Sequence, residues 1–153
     1  PMYPDANFSM RLTYGKIWDY SPKDAIQYHW QTYMEGIMEK RDNSDEEFVV
    51  PEKLYQLYNA NDYGRYADDT GDVPVCFLSD NDITGGNSGS PVMNKKGDLI
   101  GIAFDGNYEG TPGDYVFDPE MNRTISVDIR YVLFIIDKFA NCSHIMSELD
   151  IIN

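Results

Sequence analysis

Apolar and polar positions alternate, or recur at helical spacing, in several parts of the chain, and each pattern predicts an element. Aromatic and β-branched residues crowd 8–20 and 25–39 with few helix signals, so both stretches read as strands. Met10, Leu12 and Tyr14 fall on one face, as in a half-buried strand. Residues 40–47 are polar and acidic, the pattern of a loop. Pro51 at a first helical position, followed by Leu54, Leu57 and Tyr58, predicts a short helix ending near Asn61 and Asp62. Residues 63–71 read as an exposed connection.

A β-rich block follows. Residues 73–78, 91–93 and 99–104 are apolar runs of strand length, and Asn94-Lys95-Lys96-Gly97 reads as the hairpin turn between the last two. Asp105-Gly106-Asn107 breaks the third run, and 108–113, with two glycines and a proline, is a loop. Near the end, Ile125, Ile129, Val132, Ile136 and Phe139 recur at spacings of four, three, four and three. That stripe predicts a long helix docked on a barrel wall, with Asp128 in its first turn. There is no internal repeat. The sum is a mainly β chain: one antiparallel β-barrel with a short helix and a closing C-terminal helix, in a length of 153 residues that suits one domain.

Charge narrows the partners. A formal charge of −14, with acidic clusters at 42–47 and 68–72, argues against nucleic acid, which needs a basic face, and against anionic membrane surfaces. No stretch approaches the ~20 apolar residues that cross a bilayer. The chain opens on Pro1 rather than Met, as an excised or processed piece would. Cys76 sits in an apolar strand and Cys142 follows the C-terminal helix; both read as partly buried thiols, with a bridge in an oxidising compartment as the alternative. No paired Cys/His spacing points to a metal. Asn122-Arg123-Thr124 and Asn141-Cys142-Ser143 match the glycosylation sequon.

The candidate chemistry lies in Gly85-Gly86-Asn87-Ser88-Gly89-Ser90-Pro91, between two predicted strands. Its form, Gly-x-Ser-Gly-Ser-Pro, resembles the surroundings of the nucleophilic serine in chymotrypsin-like peptidases. A serine that attacks a carbonyl needs a bared hydroxyl and backbone N–H groups aimed at the developing oxyanion. Gly86 and Gly89 permit the sharp bend, and the Gly86 and Ser88 N–H groups would form the oxyanion hole. The plainer alternative is a Gly-rich hairpin turn with a chance serine. The proton acceptor is missing, since the only histidines are His29, 59 positions upstream in a Tyr/Trp-rich segment, and His144 near the C-terminus. Both read as structural or surface residues. The chain looks like half of an enzyme.

A wider resemblance covers residues 3–151. Asn81 through Val92, Leu99 through Asn107 and Arg123 through Leu133 resemble the C-terminal part of an S46-family dipeptidyl peptidase, as do Tyr3-Pro4-Asp5-Ala6-Asn7 and Met10-Arg11-Leu12-Thr13-Tyr14-Gly15. The resemblance implies a chymotrypsin-like double barrel with a helical domain inserted upstream, residues 1–153 being the C-terminal β-barrel region that carries the nucleophile. It implies bacterial enzymes exported to the periplasm or cell surface, commonly dimeric, that remove dipeptides from peptides with a free N-terminus. No cofactor is implied. Ser88 would be the nucleophile, and the remainder of the same polypeptide would supply the histidine and aspartate. The 153-residue chain alone would then be inactive.

Two further residues follow from that reading. A dipeptidyl peptidase must measure two residues from a charged α-ammonium, so a carboxylate at fixed distance from the nucleophile is needed. Asp105, ending the strand after the nucleophile hairpin, is the candidate; on the residues alone an Asp-Gly turn explains it equally well. Gly106 matches the position where acid-specific members carry an arginine, so the resemblance implies the branch preferring aliphatic or aromatic residues before the scissile bond. Asp82, six residues before Ser88, sits where trypsin-like enzymes hold the aspartate that binds Lys or Arg; a structural role, accepting loop N–H bonds, is the favoured reading. The rival functions are an HtrA-like serine endopeptidase and a non-catalytic binding or assembly domain on a peptidase fold.

Overall fold

Four strand pairs are antiparallel in the chain, of which the computed structural model describes residues 9–152. In order come β1 (Tyr20–Lys23), β2 (Ile26–Tyr28), β3 (Gln31–Tyr33), α1 (Met34–Glu39), α2 (Glu52–Asn59), β4 (Pro74–Ser79), β5 (Pro91–Met93), β6 (Leu99–Gly106), β7 (Thr124–Asp128), α3 (Ile129–Phe134) and α4 (Ser143–Met146). The fold is mainly β with few helices. Contacts gather it into two compact units, each made of two separated segments: residues up to 31 with 76–128, and 32–75 with 129 onward. The Tyr3-Pro4-Asp5-Ala6-Asn7 stretch lies outside the described residues.

In the first unit β4, β7, β6 and β5 lie side by side, and β1 and β2 form a separate hairpin. β7 pairs Cys76 with Val127 and Ser79 with Thr124 on one side, and Gly101 with Asp128 and Gly106 with Thr124 on the other. The β6–β7 register slips once: Ala103 faces Ser126 but Asp105 faces Ile125, which leaves Phe104 as the extra residue of a bulge. Gly101 is where β6 passes the buried Phe77 ring. A Cβ there would stand 2.6 Å from that ring and 2.6 Å from the Val127 carbonyl. Gly101→Ala is therefore expected to cost about 1–3 kcal/mol by overpacking, read as a lower urea midpoint with the m-value unchanged.

The second unit holds the main apolar cluster: Met34, Val50, Leu54, Tyr63, Tyr66, Val73 and Phe134. Phe134 is fully buried and meets Tyr63 and Tyr66 edge-on, with ring centroids 6.4 and 6.2 Å apart. Burial pushes both phenols up to about 12, and at Tyr66 the hydrogen bond its hydroxyl donates to Asp137 (2.9 Å) adds to the rise. Both tyrosines thus stay neutral core residues. Residues 63–71 are irregular, as expected, but not wholly exposed, because these two rings fill the core.

Several elements match their sequence patterns. The run at 91–93 is β5, that at 73–78 is β4 shifted by one residue, and Gly97 N–H donates to the Asn94 carbonyl (3.0 Å) to close the hairpin turn. The helix after Pro51 is α2, ending two residues before Asn61. The third apolar run continues through Asp105 to Gly106 instead of breaking there. Two expectations fail. Met10, Leu12 and Tyr14 lie in no strand and are 84–96% exposed. Alternation marks a face, but a strand needs a neighbour, and among the described residues that stretch gains a single isolated bridge, from Ile17 to Ser79. Within 25–39, strand gives way to helix at Met34.

The long helix predicted over 125–139 is the larger error. Residues 124–128 are β7, and α3 covers only Ile129–Phe134 before widening to π-helical bonding over Ile135–Phe139. β7 buries Thr124, Ser126 and Asp128, while Ile125 and Val127 are only partly covered. Asp128 thus ends β7 and stands immediately before α3, at the N-terminal edge of that helix rather than inside its first turn. Cys76 and Cys142 are both partly buried and neither is in a disulfide. Asn122 is buried, so the first sequon presents no accessible amide. No helix among the described residues is long and apolar enough to cross a membrane.

Candidate active site

The chain between β4 and β5 is folded as two turns that share Asn87. Asn87 N–H donates to the Thr84 carbonyl (3.2 Å) with Gly86 third in the turn at φ 92°, and Ser90 N–H donates to the Asn87 carbonyl (2.9 Å) with Gly89 third at φ 86°. A positive φ at that position is the type II form, which glycine adopts without a Cβ clash. Ser88 takes the second place of the second turn, at an exposed corner. β6 fixes this corner: Gly89 N–H donates to the Ala103 carbonyl (2.8 Å) and Ala103 N–H to the Ser90 carbonyl (3.0 Å). The Ser88 hydroxyl donates to the carbonyl of the bulge residue Phe104 at 3.2 Å. Among the described residues, the N–H groups of Gly86 and Ser88 meet no acceptor.

The turns border a cleft of about 350 Å³ built from the first unit alone. Ser88, Asp105 and Gly106 all line it; Gly86 is on the same loop but not in the lining. The bulge at Phe104 carries Asp105 and Gly106 past the serine corner. Asp105 is exposed, and one of its oxygens accepts from the Gly106 N–H (2.8 Å). Gly106 has room for a side chain, since a Cβ would meet only the Arg123 carbonyl, at 3.8 Å. No histidine is in the lining. His29 is exposed and its Nδ1 is engaged with the backbone of Gln31, accepting from its N–H at 3.2 Å. His144 lies in α4.

Asp82 also lines the cleft but does not take the structural role expected of it. Among the described residues it accepts no loop N–H. Those bonds go to Asn87, whose Oδ1 accepts from Thr84 N–H (3.1 Å), and to Asp80, whose Oδ1 accepts from Lys16 N–H (2.6 Å). The cleft has one cationic lining residue, Arg123, which is 5% exposed. Its guanidinium donates to the carbonyls of Pro119 (3.0 Å), Asn122 (2.7 Å) and Asp19 (2.9 Å), and lies 5.6 Å from the Tyr20 ring centre. It is spent on structure.

Sequence reasoning missed two supports of the site. Asn107 locks the end of β6 to the segment before β7: its N–H donates to the Arg123 carbonyl (2.9 Å), and its side chain accepts from Arg123 N–H (2.7 Å) and donates to the Met121 carbonyl (2.8 Å). Arg11 reaches the serine loop, donating to the Gly85 carbonyl (2.9 Å) and to Asn87 Oδ1 (3.2 Å). Nothing local marks Arg11, because its partners lie 74 and 76 positions along the chain. Among the described residues no three His, Cys, Asp or Glu side chains gather as a metal site would require.

The Peptidase S46 family profile matches residues 1–151. The chain is 58% identical over 152 residues to a dipeptidyl-peptidase 7 of Phocaeicola vulgatus, and 51% identical over 152 residues to an Asp/Glu-specific dipeptidyl-peptidase of Flavobacterium psychrophilum. Each match covers 99% of this chain and 21% of the relative. The crystal structure of Porphyromonas endodontalis DPP11 in complex with substrate matches with a TM-score of 0.87 at 51% identity, over 89% of this chain and 20% of that one. The chain thus spans about a fifth of the length of these relatives.

Proposed function

Since this chain belongs to the peptidase S46 family, we propose that it is the nucleophile-bearing part of a serine dipeptidyl peptidase that removes dipeptides from free N-termini. The observation that carries the reading is the double turn: an exposed serine hydroxyl at a corner, with the N–H groups of Gly86 and Ser88 unspent beside it. In the mechanism, Ser88 Oγ attacks the scissile carbonyl and its proton passes to a histidine from elsewhere in the longer polypeptide. That histidine is oriented by an aspartate, and the oxyanion settles on the two N–H groups. The histidine then protonates the leaving amine, and water hydrolyses the acyl-enzyme. The fold proposed is the second half of a chymotrypsin-like barrel pair, in a periplasmic or cell-surface enzyme that acts as a dimer.

Specificity has two parts. Asp105 receives the substrate α-ammonium on its remaining lone pairs, so the enzyme counts residues from that charge. Gly106 leaves the adjoining wall without a counter-charge, and the Arg123 guanidinium, bound to three carbonyls, does not supply one. Ile83, Phe104 and Phe117 add apolar surface to a lining that is otherwise largely polar and glycine-rich, and they are the side chains available to aliphatic or aromatic residues before the scissile bond.

The test uses the full-length enzyme with fluorogenic dipeptides. Free-amine substrates ending in Leu or Phe should be cleaved and their N-acetylated forms refused; equal cleavage of blocked substrates would favour an endopeptidase instead. A strong preference for Lys or Arg over Leu or Phe would return Asp82 to a trypsin-like role. Gly106→Arg is expected to shift the kcat/KM ratio towards Asp and Glu by about tenfold, the order of one charge-assisted hydrogen bond. An unchanged ratio would dissociate Gly106 from the pocket.

A further inference from the structure

The two oxyanion donors are held in different ways. Ser88 N–H belongs to the peptide whose carbonyl is Asn87, and that carbonyl is fixed locally by Ser90 N–H at 2.9 Å. Gly86 N–H belongs to the peptide whose carbonyl is Gly85. That carbonyl accepts from Arg11 Nη2 at 2.9 Å, from a residue 74 positions away. In a trans peptide the C=O and N–H point in opposite directions, so fixing one aims the other.

This peptide needs fixing. It is the central peptide of the Thr84–Asn87 turn, and types I and II differ there by a flip: ψ of the second residue and φ of the third each change by about 150–170°. Gly86 at φ 92° makes the turn type II. With glycine at both 85 and 86, no side chain blocks the flip to type I, which would turn the Gly85 carbonyl around and carry the Gly86 N–H off the oxyanion. Arg11 also donates to Asn87 Oδ1 (3.2 Å), the atom that accepts from Thr84 N–H (3.1 Å), so a single guanidinium braces both ends of the turn.

We propose that Arg11 is a positioning residue for catalysis, holding the Gly85–Gly86 peptide in the orientation that presents the Gly86 N–H to the oxyanion. It touches no reacting atom. Its effect is confined to states that carry negative charge on the carbonyl oxygen, so it separates from substrate binding. The inference rests on the peptidase reading above.

The experiment compares Arg11→Ala and Arg11→Lys in the full-length enzyme with wild type. The measured quantities are kcat, KM, affinity for a dipeptidyl boronic acid that mimics the tetrahedral intermediate, and affinity for the product dipeptide. Arg11→Ala should lower kcat about tenfold, part of the about 10²–10³ that one oxyanion donor supplies. Boronate affinity should fall by a similar factor, with KM and product affinity unchanged within twofold. Arg11→Lys, which keeps a cationic donor, should fall between and carries the same comparison if the alanine variant does not fold. Wild-type kcat and boronate affinity in a folded variant would overturn the proposal, as would equal losses of boronate and product affinity, which mark general distortion. Ser88→Ala tests the underlying reading separately: retained turnover there would sink the peptidase assignment, whereas an Arg11 failure would leave it standing.

Discussion

Ser88→Ala in the full-length enzyme is expected to lower kcat for dipeptide release by about 10⁴-fold or more while leaving product-dipeptide affinity within twofold. The size follows from the role. Without Oγ no acyl-enzyme forms, and what remains is the contribution of binding and the oxyanion donors to direct attack by water. The fold should survive, because Ser88 is exposed and its one described side-chain bond, to the Phe104 carbonyl, is weak at 3.2 Å. An unchanged thermal midpoint with lost turnover would confirm that the loss is chemical. Retained activity would move the nucleophile elsewhere.

Asp105→Asn carries the next largest expected loss. The substitution keeps shape and removes charge, so the α-ammonium loses a charge-assisted bond worth about 1.5–3 kcal/mol, or roughly 10- to 150-fold in kcat/KM. Reach and access favour this assignment over a turn role: the carboxylate is exposed in the cleft with Ser88, and the Phe104 bulge delivers it there. Its Oδ1 already accepts from Gly106 N–H, which orients the group. The loss should appear with free-amine substrates and be absent for phosphonylation of Ser88 by a small fluorophosphonate, which loses fluoride to the serine oxygen and has no ammonium to read. Equal losses with both reagents would make Asp105 a support of the loop instead.

The serine loop was legible because its geometry is written locally. Gly86 and Gly89 sit where two turns need positive φ, and the runs beside them have strand length and strand composition. The grouping of Ser88, Asp105 and Gly106 around one cleft was anticipated too. β7 was not, for a physical reason. Its buried positions are Thr124, Ser126 and Asp128, so the apolar residues that carried the helical periodicity point to its less covered face. Such a strand between two others is held by its ladders and by polar bonds, among them Thr124 Oγ1 to the Asn81 carbonyl at 2.8 Å, and an apolar-stripe argument misreads it.

The opposite error occurred at Met10, Leu12 and Tyr14, where alternation was real but no strand neighbour is described. The neighbouring Arg11 carried more information than the apolar stripe, yet its meaning depends on a fold that brings residue 11 to residues 85 and 87. Asn107 is similar: in sequence it looks like part of an Asp-Gly-Asn turn, and in the fold it clamps the segment before β7. Contacts of this length leave no local signature.

Whether the hydroxyl at position 88 is the attacking group is tested most directly by treating the active full-length enzyme with a fluorophosphonate and locating the adduct by peptide mass spectrometry. A single adduct on Ser88, appearing in step with loss of dipeptide release and prevented by a competing dipeptide, is expected. Complete inactivation with Ser88 unmodified, or full turnover with Ser88 blocked, would contradict it.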